Sequence, residues 1–559
     1  MHELVIRGGT VVDGTGQAPR TADVVVDDGR VTEVGRGGIR GRREIDADGL
    51  IVAPGWVDIH THYDGQAMWD PLLENSSSHG VTTAVMGNCG VGVAPVRAAD
   101  QEWTVALMEG VEDIPRSAFE HGLDWVWETF PQYLEVLDAR PRAIDVAAQV
   151  PHAALRVFVM GERGIDHTQV PTENEIDGMG RLVAEAIDAG AVGFSTSRSR
   201  THAASDGRPI PSLSAAAPEL IGIARAVGRT RRGAFELVFE DGEIDEHLLL
   251  ARSMCQVSGR GLSLITLQRP GYPPDAYRDI LHALEHAQAE GIDMRGQVAP
   301  RPIGVLMMLD SRLNPLRASE TFMALATTAL GLIELAKPEV RDRILKEAAV
   351  GLQMLDRFPF LFELGDPPRY QQSRDEDLRS RAVMGNTTLL DLVYEILVAG
   401  GTIYAPAANF IEGNYSAIRE MLVHPFTVPG LSDAGAHCTV IGDFDFPTFL
   451  LSHWTQDLDG DQRIPIEWIV KRQSADTAKL VGLADRGVLL PGRRADVNLI
   501  DIAALGSTAP QLRADLPGGA SRLVGHGTGY VATLVAGQVV FERGLHTGLL
   551  PGRVARPEP

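Results

Sequence analysis

Cysteine is scarce in this chain of 559 residues: there are three, Cys89, Cys255 and Cys438, odd in number and unrelated in spacing. That excludes a disulfide framework and fits a reducing compartment. Long apolar runs are missing too, and none approaches the roughly 20 residues of a membrane span. The first segment, MHELVIRGGTVVDG, has no basic stretch leading into a long apolar one. Positive charge is in deficit: 51 Lys and Arg against 74 Asp and Glu give −23. Such a balance argues against non-specific binding to nucleic acid or to an anionic membrane surface, and reads as a solvated, soluble exterior. The expectation is a soluble cytoplasmic protein with no nucleic-acid or membrane partner, with a homo-oligomer left open.

What is present is an α/β pattern framed by two β-rich ends. From Leu4 to Val52 short alternating runs (LVIRGGTVVDG, ADVVVDDGRVTEVG, REIDADGLIVAPG) are broken by Asp-Gly pairs that suit tight turns. A matching pattern returns in RGVLLPGRRADVNLID (486–501) and YVATLVAGQVVFERG (530–544). The two ends, residues 1–53 and 486–559, are expected to pair into one small β-sandwich, with the last residues, GRVARPEP, frayed. Between them strand-like runs at 82–87, 142–150, 191–196, 233–239, 261–267, 294–299, 402–406 and 426–433 alternate with helical stretches. About eight repeats favour a distorted (β/α)8 barrel over 54–485. Residues 305–400 interrupt the rhythm as a mostly helical insertion, read either as part of a substrate lid or as packing on the barrel flank.

The stretch that orders the rest is APGWVDIHTHYD (53–64). In a strand, residues two apart share a face, so His60 and His62 stand side by side, and two imidazoles aimed at one point suit a divalent metal. Barrel enzymes carry their reactive groups at the C-terminal ends of strands. Cys89 follows the next strand in MGNCGVGVAP, where Gly87, Gly90 and Gly92 allow close backbone approach and a thiolate can ligate a metal. Asp433 ends the last strand in VPGLSDAGAH; it can ligate and act as general base, or serve as a helix N-cap. His437, four residues on, contacts substrate, supports Asp433 or caps the loop. His152 in VPHAALRVFVMG follows another strand. Ser195, Thr196, Ser197 and Arg198 end the next in GFSTSR, where hydroxyls suit a carbonyl and a guanidinium suits a carboxylate. Arg301, after QVAP, is a second carboxylate clamp. The substrate-binding set is therefore His152, Ser197, Arg198, Arg301 and His437.

These segments resemble the metal-dependent amidohydrolase superfamily and, within it, the N-acyl-D-amino-acid deacylase (D-aminoacylase) branch. The resemblance is carried by VIRGGTVVDGTG, GLIVAPGWVDIHTHYD, GVTTAVMGNCGVGVAP, AVGFSTSR, LSDAGAH and GVLLPGRRADVNLID, and so spans nearly the whole chain. It implies a distorted (β/α)8 barrel with a β-sandwich, one or two zinc ions, and hydrolysis of a small linear amide by metal-activated water. His60, His62, Cys89 and Asp433 match the family pattern as metal ligands, with Asp433 also moving the proton. Two later ligand histidines do not match: the comparable stretches SLITLQRPGY (263–272) and RGQVAPRPIG (295–304) contain none. Either the site holds one metal on the four residues named, or Glu236, Gln268, Gln297 or His152 replaces the missing donors, or catalysis is lost and the chain is a scaffold. His282 and His286, four apart on a helical stretch, lie away from the strand ends. A cyclic-amide hydrolase of the dihydropyrimidinase or hydantoinase type is disfavoured because the middle strands lack the lysine such enzymes usually carry.

Overall fold

The computed structural model describes residues 1–35, 37–239, 244–326 and 329–557. Eight strands form its centre: β1 (Trp56–Asp58), β2 (Val81–Met86), β3 (Asp145–Pro151), β4 (Gly193–Arg198), β5 (Ala234–Phe239), β6 (Leu262–Ile265), β7 (Met294–Val298) and β8 (Thr427–Pro429). They pair in that order and all in parallel. Closure comes just beyond the strand ends. Asp433 N–H donates to His60 O at 3.2 Å and His62 N–H to Ala434 O at 2.8 Å, so β8 runs into β1 and the sheet becomes a barrel. Four of the eight, β1, β2, β3 and β5, are buried along their whole length, as parallel strands covered on both faces are. Helices such as Glu173–Ala189, opened by a Thr172–Glu175 capping box, form the outer layer.

Val57, Ile59, Val85, Ala147, Val192 and Val428 pack together at the floor of the barrel with Ala478, Val481, Leu483 and Ala555. Ala555 belongs to the segment expected to fray, and this expectation is corrected. Ala555 N–H bonds Val146 O at 2.7 Å, Arg553 N–H bonds Asp145 at 2.9 Å, and Val554 and Ala555 are buried. Apolar side chains that close a barrel end gain more by burial than a free tail gains in entropy. Glu558 and Pro559 lie outside the described residues.

The two chain ends share one nine-stranded sheet, joined where Ile51–Pro54 pairs antiparallel with Val497–Ile500. Strand His2–Val11 pairs along one edge first with Gly41–Asp46 and then with Ile51–Pro54, and a register shift falls between Ile6 and Gly9. The shift lies in its pairing with Arg20–Asp27, and an irregularity of this kind bends and twists a strand. Asp28 and Gly29, with φ of 49° and 70°, form the tight turn that the Asp-Gly pair announced.

The insertion is mostly helical, but it also holds a small antiparallel sheet of Gly304–Met307, Phe362–Glu363 and Ile403–Pro406. The run at 402–406, expected as a barrel strand, is therefore its central strand. Alternation alone cannot separate a buried barrel strand from a buried strand elsewhere. The insertion has its own core, including Leu316, Phe322, Ile344, Leu361, Leu390 and Leu397. Among the described residues, no helix is long and apolar enough to cross a membrane.

Candidate metal centre and its cavity

At the C-terminal mouth of the barrel lies a cavity of about 160 Å³. One wall comes from β1, β2 and β8 and carries His60, His62, Cys89 and Asp433; Glu112 and His437 adjoin it. The facing wall comes from segments after β4, β5 and β6 and carries Ser199, Thr201, His202, Val238, Ile265, Leu267 and Arg269. Ile303, at the entry to the insertion, also reaches the cavity, whereas no residue described within 305–400 lines it.

Ligand atoms of His60, His62 and Cys89 all lie within 4.8 Å of one another, the only such group of three metal-binding donors among the described residues. His60 Nε2 stands 3.4 Å from Cys89 Sγ. Asp433 Oδ1 lies 3.3 Å from His60 Nε2 and 3.8 Å from His62 Nε2, drawing the two imidazoles to one point. The donor set fits a metal, because the other nitrogen of His60 is already committed. His60 Nδ1 lies 3.0 Å from Gln297 Oε1; Gln297 Nε2 donates to Ser263 Oγ at 2.8 Å; and the Ser263 hydroxyl donates to Phe235 O. That chain of donors puts the hydrogen of His60 on Nδ1 and leaves the Nε2 lone pair facing Cys89 and Asp433.

Backbone shape does part of the placing. Cys89, Leu431, Asp433 and His437 all have positive φ, between 48° and 67°, a conformation that non-glycine residues rarely adopt and that costs free energy. The Cys89 turn is fixed by glycines that cannot be replaced: a Cβ on Gly87 would fall 2.2 Å from Gln149 O. It is also tied from beneath, by Cys89 N–H to Glu236 at 3.0 Å and Gly90 N–H to Ser195 Oγ at 3.0 Å.

Electrostatics follow from burial and crowding. Burial disfavours charge on Asp433, but the hydrogen bond from His62 and the nearby His60, His62 and His437 outweigh it and bring its pKa down to about 2. Burial likewise opposes a proton on His62, yet Glu112, 3.3 Å from its Nδ1, and Asp433 raise it to about 9. On His60 burial prevails and lowers it to about 4. Burial, reinforced by Glu236 and other carboxylates, pushes the Cys89 thiol well up.

The expected substrate-binding residues divide. His437 lines the cavity, and Ser197 stands behind it with Oγ 2.8 Å from His202 Nδ1. His152 does not reach the cavity. It is fully buried, with Nδ1 2.8 Å from Thr196 Oγ1 and Nε2 3.0 Å from Glu219, which Arg156 also binds. Arg198 lies outside the lining too, 3.4 Å from Glu246. Arg301 is buried between Asp443 and Asp445, at 2.7 Å from each, with its guanidinium 3.6 Å from the centre of the Tyr370 ring. A guanidinium so committed holds the fold together and is not a substrate clamp. The arginine in the cavity is Arg269, three positions before the Tyr of QRPGY.

None of the proposed replacement donors joins the cluster. Gln297 orients His60, Glu236 holds the Cys89 turn, and Gln268 ties its loop to Pro274, Asn409 and Ile411. His282 and His286 are exposed on the outer helix Tyr277–Ala289, as expected. Glu112 and His202 had no motif around them. The available signal for His202 was its place soon after a barrel strand, and for Glu112 there was none, because it ends a helix of the β2–β3 connection.

The chain matches the model of the amidohydrolase family (Amidohydro_3) over residues 43–321 and 383–541. It belongs to the amidohydrolase family. Proteins similar to it include an uncharacterised protein of Mycobacterium tuberculosis strain H37Rv, 29% identical over 98% of this chain and 93% of that protein. The D-aminoacylase of Alcaligenes xylosoxydans xylosoxydans is 27% identical over 91% of this chain and 90% of its own length. Among solved structures, the N-acyl-D-glutamate deacylase of Bordetella bronchiseptica, complexed with zinc and a phosphonate inhibitor, matches with a TM-score of 0.64 at 25% identity over 99% of both chains. This amidohydrolase is thus a metal-dependent enzyme of the D-aminoacylase-like branch, acting on carbon–nitrogen bonds other than peptide bonds.

Proposed function

We propose that the enzyme removes the acyl group from N-acyl amino acids, with D-amino acids preferred, using one zinc ion held by His60, His62, Cys89 and Asp433. The observation that carries the reading is the meeting of two imidazoles and a thiol within 4.8 Å, with the Asp433 carboxylate beside them, at a barrel mouth. Related D-aminoacylase and N-acyl-D-glutamate deacylase sequences support the choice of a linear acyl amide. A single ion is favoured because, among the described residues, the facing parts of β5 and β6 that line the cavity, Val238, Ile265 and Leu267, offer no donor.

When bound, zinc supplies a water of lowered pKa and polarises the scissile carbonyl. Asp433 takes the proton of the attacking water and delivers it to the departing nitrogen. Arg269 anchors the carboxylate of the amino acid, replacing Arg198 and Arg301 in that role. Val111, Val238, Ile265, Leu267, Ile303 and Leu431 give the cavity an apolar part, which suits a small acyl group or an aliphatic side chain.

The test is a panel of N-acetyl and N-formyl D- and L-amino acids incubated with zinc-loaded enzyme and scored for released carboxylate. Turnover of the D series with preference for aliphatic side chains is expected; absence of turnover on every linear N-acyl amino acid refutes the assignment.

A further inference from the structure

His202 is a histidine of the cavity that no motif pointed to. It stands on the wall built after β4, opposite the donors of β1 and β8. In the eight-stranded barrel β4 and β8 stand on opposite sides, so the two walls face each other over one cavity of about 160 Å³. A carbonyl group bound in that cavity lies between the two walls.

The protonation of His202 is fixed by its neighbours. Ser197 Oγ accepts the N–H of Ser199 at 3.1 Å and lies 2.8 Å from His202 Nδ1. Among the described residues the Ser197 hydroxyl has no other acceptor for its hydrogen, so it donates to Nδ1. The imidazole hydrogen is then on Nε2, which has no hydrogen-bond partner among the described residues. A bare Nε2 would be a metal ligand; a protonated one is a donor. Burial and the nearby His437 and His62 also hold the ring neutral, at about 3.

The loop is built to keep this orientation. His202 O accepts from Ile210 N–H at 2.9 Å, Ala203 bridges Pro209, Ser205 N–H reaches Ala106 O at 2.8 Å, and Ser212 Oγ donates to Ser197 O at 2.7 Å. A donor fixed in this way costs no reorganisation when charge develops in front of it.

We infer that His202, locked by Ser197 as the neutral Nε2–H tautomer, is a catalytic residue that donates a hydrogen bond to the substrate carbonyl oxygen as it gains negative charge. The inference rests on the reading of the cavity as an amide-hydrolysing site. It separates His202 from Arg269, which holds the amino-acid carboxylate in ground and transition state alike. It also assigns Ser197 as a positioning residue acting through His202.

The experiment compares His202→Leu, His202→Gln and Ser197→Ala with the wild type in the zinc-loaded enzyme, on the substrate the wild type turns over best in a panel of N-acyl amino acids, simple amides and aryl esters. His202→Leu is expected to lower kcat about 10²-fold, the size of effect seen when one oxyanion donor is lost, with KM within about 3-fold and zinc content unchanged. His202→Gln, whose amide can still donate, recovers at least about 10-fold of that loss, and Ser197→Ala falls between. A KM effect with kcat preserved makes His202 a binding group, loss of zinc makes it a ligand, and kcat within about 3-fold of wild type removes the role; each overturns the inference. Failure to cleave N-acyl amino acids while cleaving other members of the panel refutes the deacylase reading and leaves this one standing on its own test. Independently of any substrate, the nitrogen-15 spectrum of histidine-labelled enzyme, differenced against His202→Gln, is expected to show a neutral ring protonated at Nε2 and to change in Ser197→Ala. A charged ring or the Nδ1–H tautomer overturns the inference whatever the substrate.

Discussion

Gln297 Oε1 faces His60 Nδ1 at 3.0 Å across the barrel mouth, and the amide of Gln297 cannot turn round. Its nitrogen is held by Ser263 Oγ, whose own hydrogen goes to Phe235 O. Three strands, β5, β6 and β7, thus decide which nitrogen of a β1 histidine is free for metal. Removing this support in Gln297→Leu is expected to weaken zinc binding about 10- to 100-fold, the usual cost of losing an outer partner of a ligand histidine. Competition with a chromophoric chelator measures it; unchanged affinity would mean that His60 is oriented without Gln297.

Asp433 and His60 are expected to differ as mutants although both touch the centre. Asp433→Asn keeps a coordinating oxygen and removes the base, so kcat should fall about 10³-fold, within the range for general base loss, while most zinc stays. His60→Ala takes away one of the three clustered donors, so zinc and activity should go together. Metal analysis beside kinetics separates the two cases, and a His60→Ala protein that keeps its zinc contradicts the ligand assignment.

Loading zinc should release protons. Before loading, Glu112 and Asp433 hold His62 at about 9 against the effect of burial, and Cys89 is a thiol because burial and its acidic neighbours push it up. Coordination needs a bare imidazole and a thiolate, so close to two protons should leave per zinc at pH 7, and fewer in Glu112→Gln, where one of the carboxylates that hold the proton on His62 is gone. Calorimetry in buffers of different ionisation enthalpy counts them. The same titrations should end at one zinc per chain, since among the described residues Val238, Ile265 and Leu267 are what β5 and β6 bring to the cavity beside Arg269, and none is a metal donor.

How far the sequence spoke for itself can be argued from these residues. His60, His62, Cys89 and Asp433 were legible because each ends a strand in a local motif, and the alternation that defines a (β/α)8 barrel is itself local. What was not legible depends on three-dimensional neighbours. Arg301 reads as a clamp until Asp443 and Asp445, more than 140 residues away, are seen to hold it. His152 reads as a mouth residue until Glu219 is seen to close on it. Glu112 and His202 lie in connections with no periodic pattern, and only the closed barrel brings them to the metal wall and its opposite. The tail was misjudged for the same reason: its small apolar residues match a floor that exists only once eight strands have met.

The buried pair of His152 and Glu219 should leave a signature in the pH dependence of stability. Burial lowers the His152 pKa, so below about 6.5 the unfolded chain takes up a proton that the folded chain refuses. For Glu219, burial is outweighed by its bonds to His152 and Arg156, so its pKa is lowered; its contribution, present above about 4.3, is lost as pH falls through the folded value. Both signs give loss of stability in acid. Thermal midpoints of wild type should begin to drop below about pH 6.5, and His152→Gln should flatten the first part of that decline. A decline identical in the variant would assign it to other groups.

Arg301 supplies the sharpest contrast between a structural and a functional role. Its guanidinium binds Asp443 and Asp445 and lies under Tyr370 and Phe446, all buried. Burial raises Asp443 to about 7 even with Arg301 lowering it, so without the cation the site would hold two carboxylates in contact with little but each other. Breaking such a pair from one side costs about 3–5 kcal/mol. Arg301→Met should therefore lose about that much stability in denaturant titration, and Arg301→Lys, which keeps the charge but not the fork that spans both carboxylates, should lose less. At a temperature where each variant is still folded, KM for an N-acyl amino acid should stay within about 3-fold of wild type, whereas Arg269→Met, in the cavity, should raise it at least about 10-fold. A large KM effect at Arg301 with stability unchanged would return it to the role of carboxylate clamp.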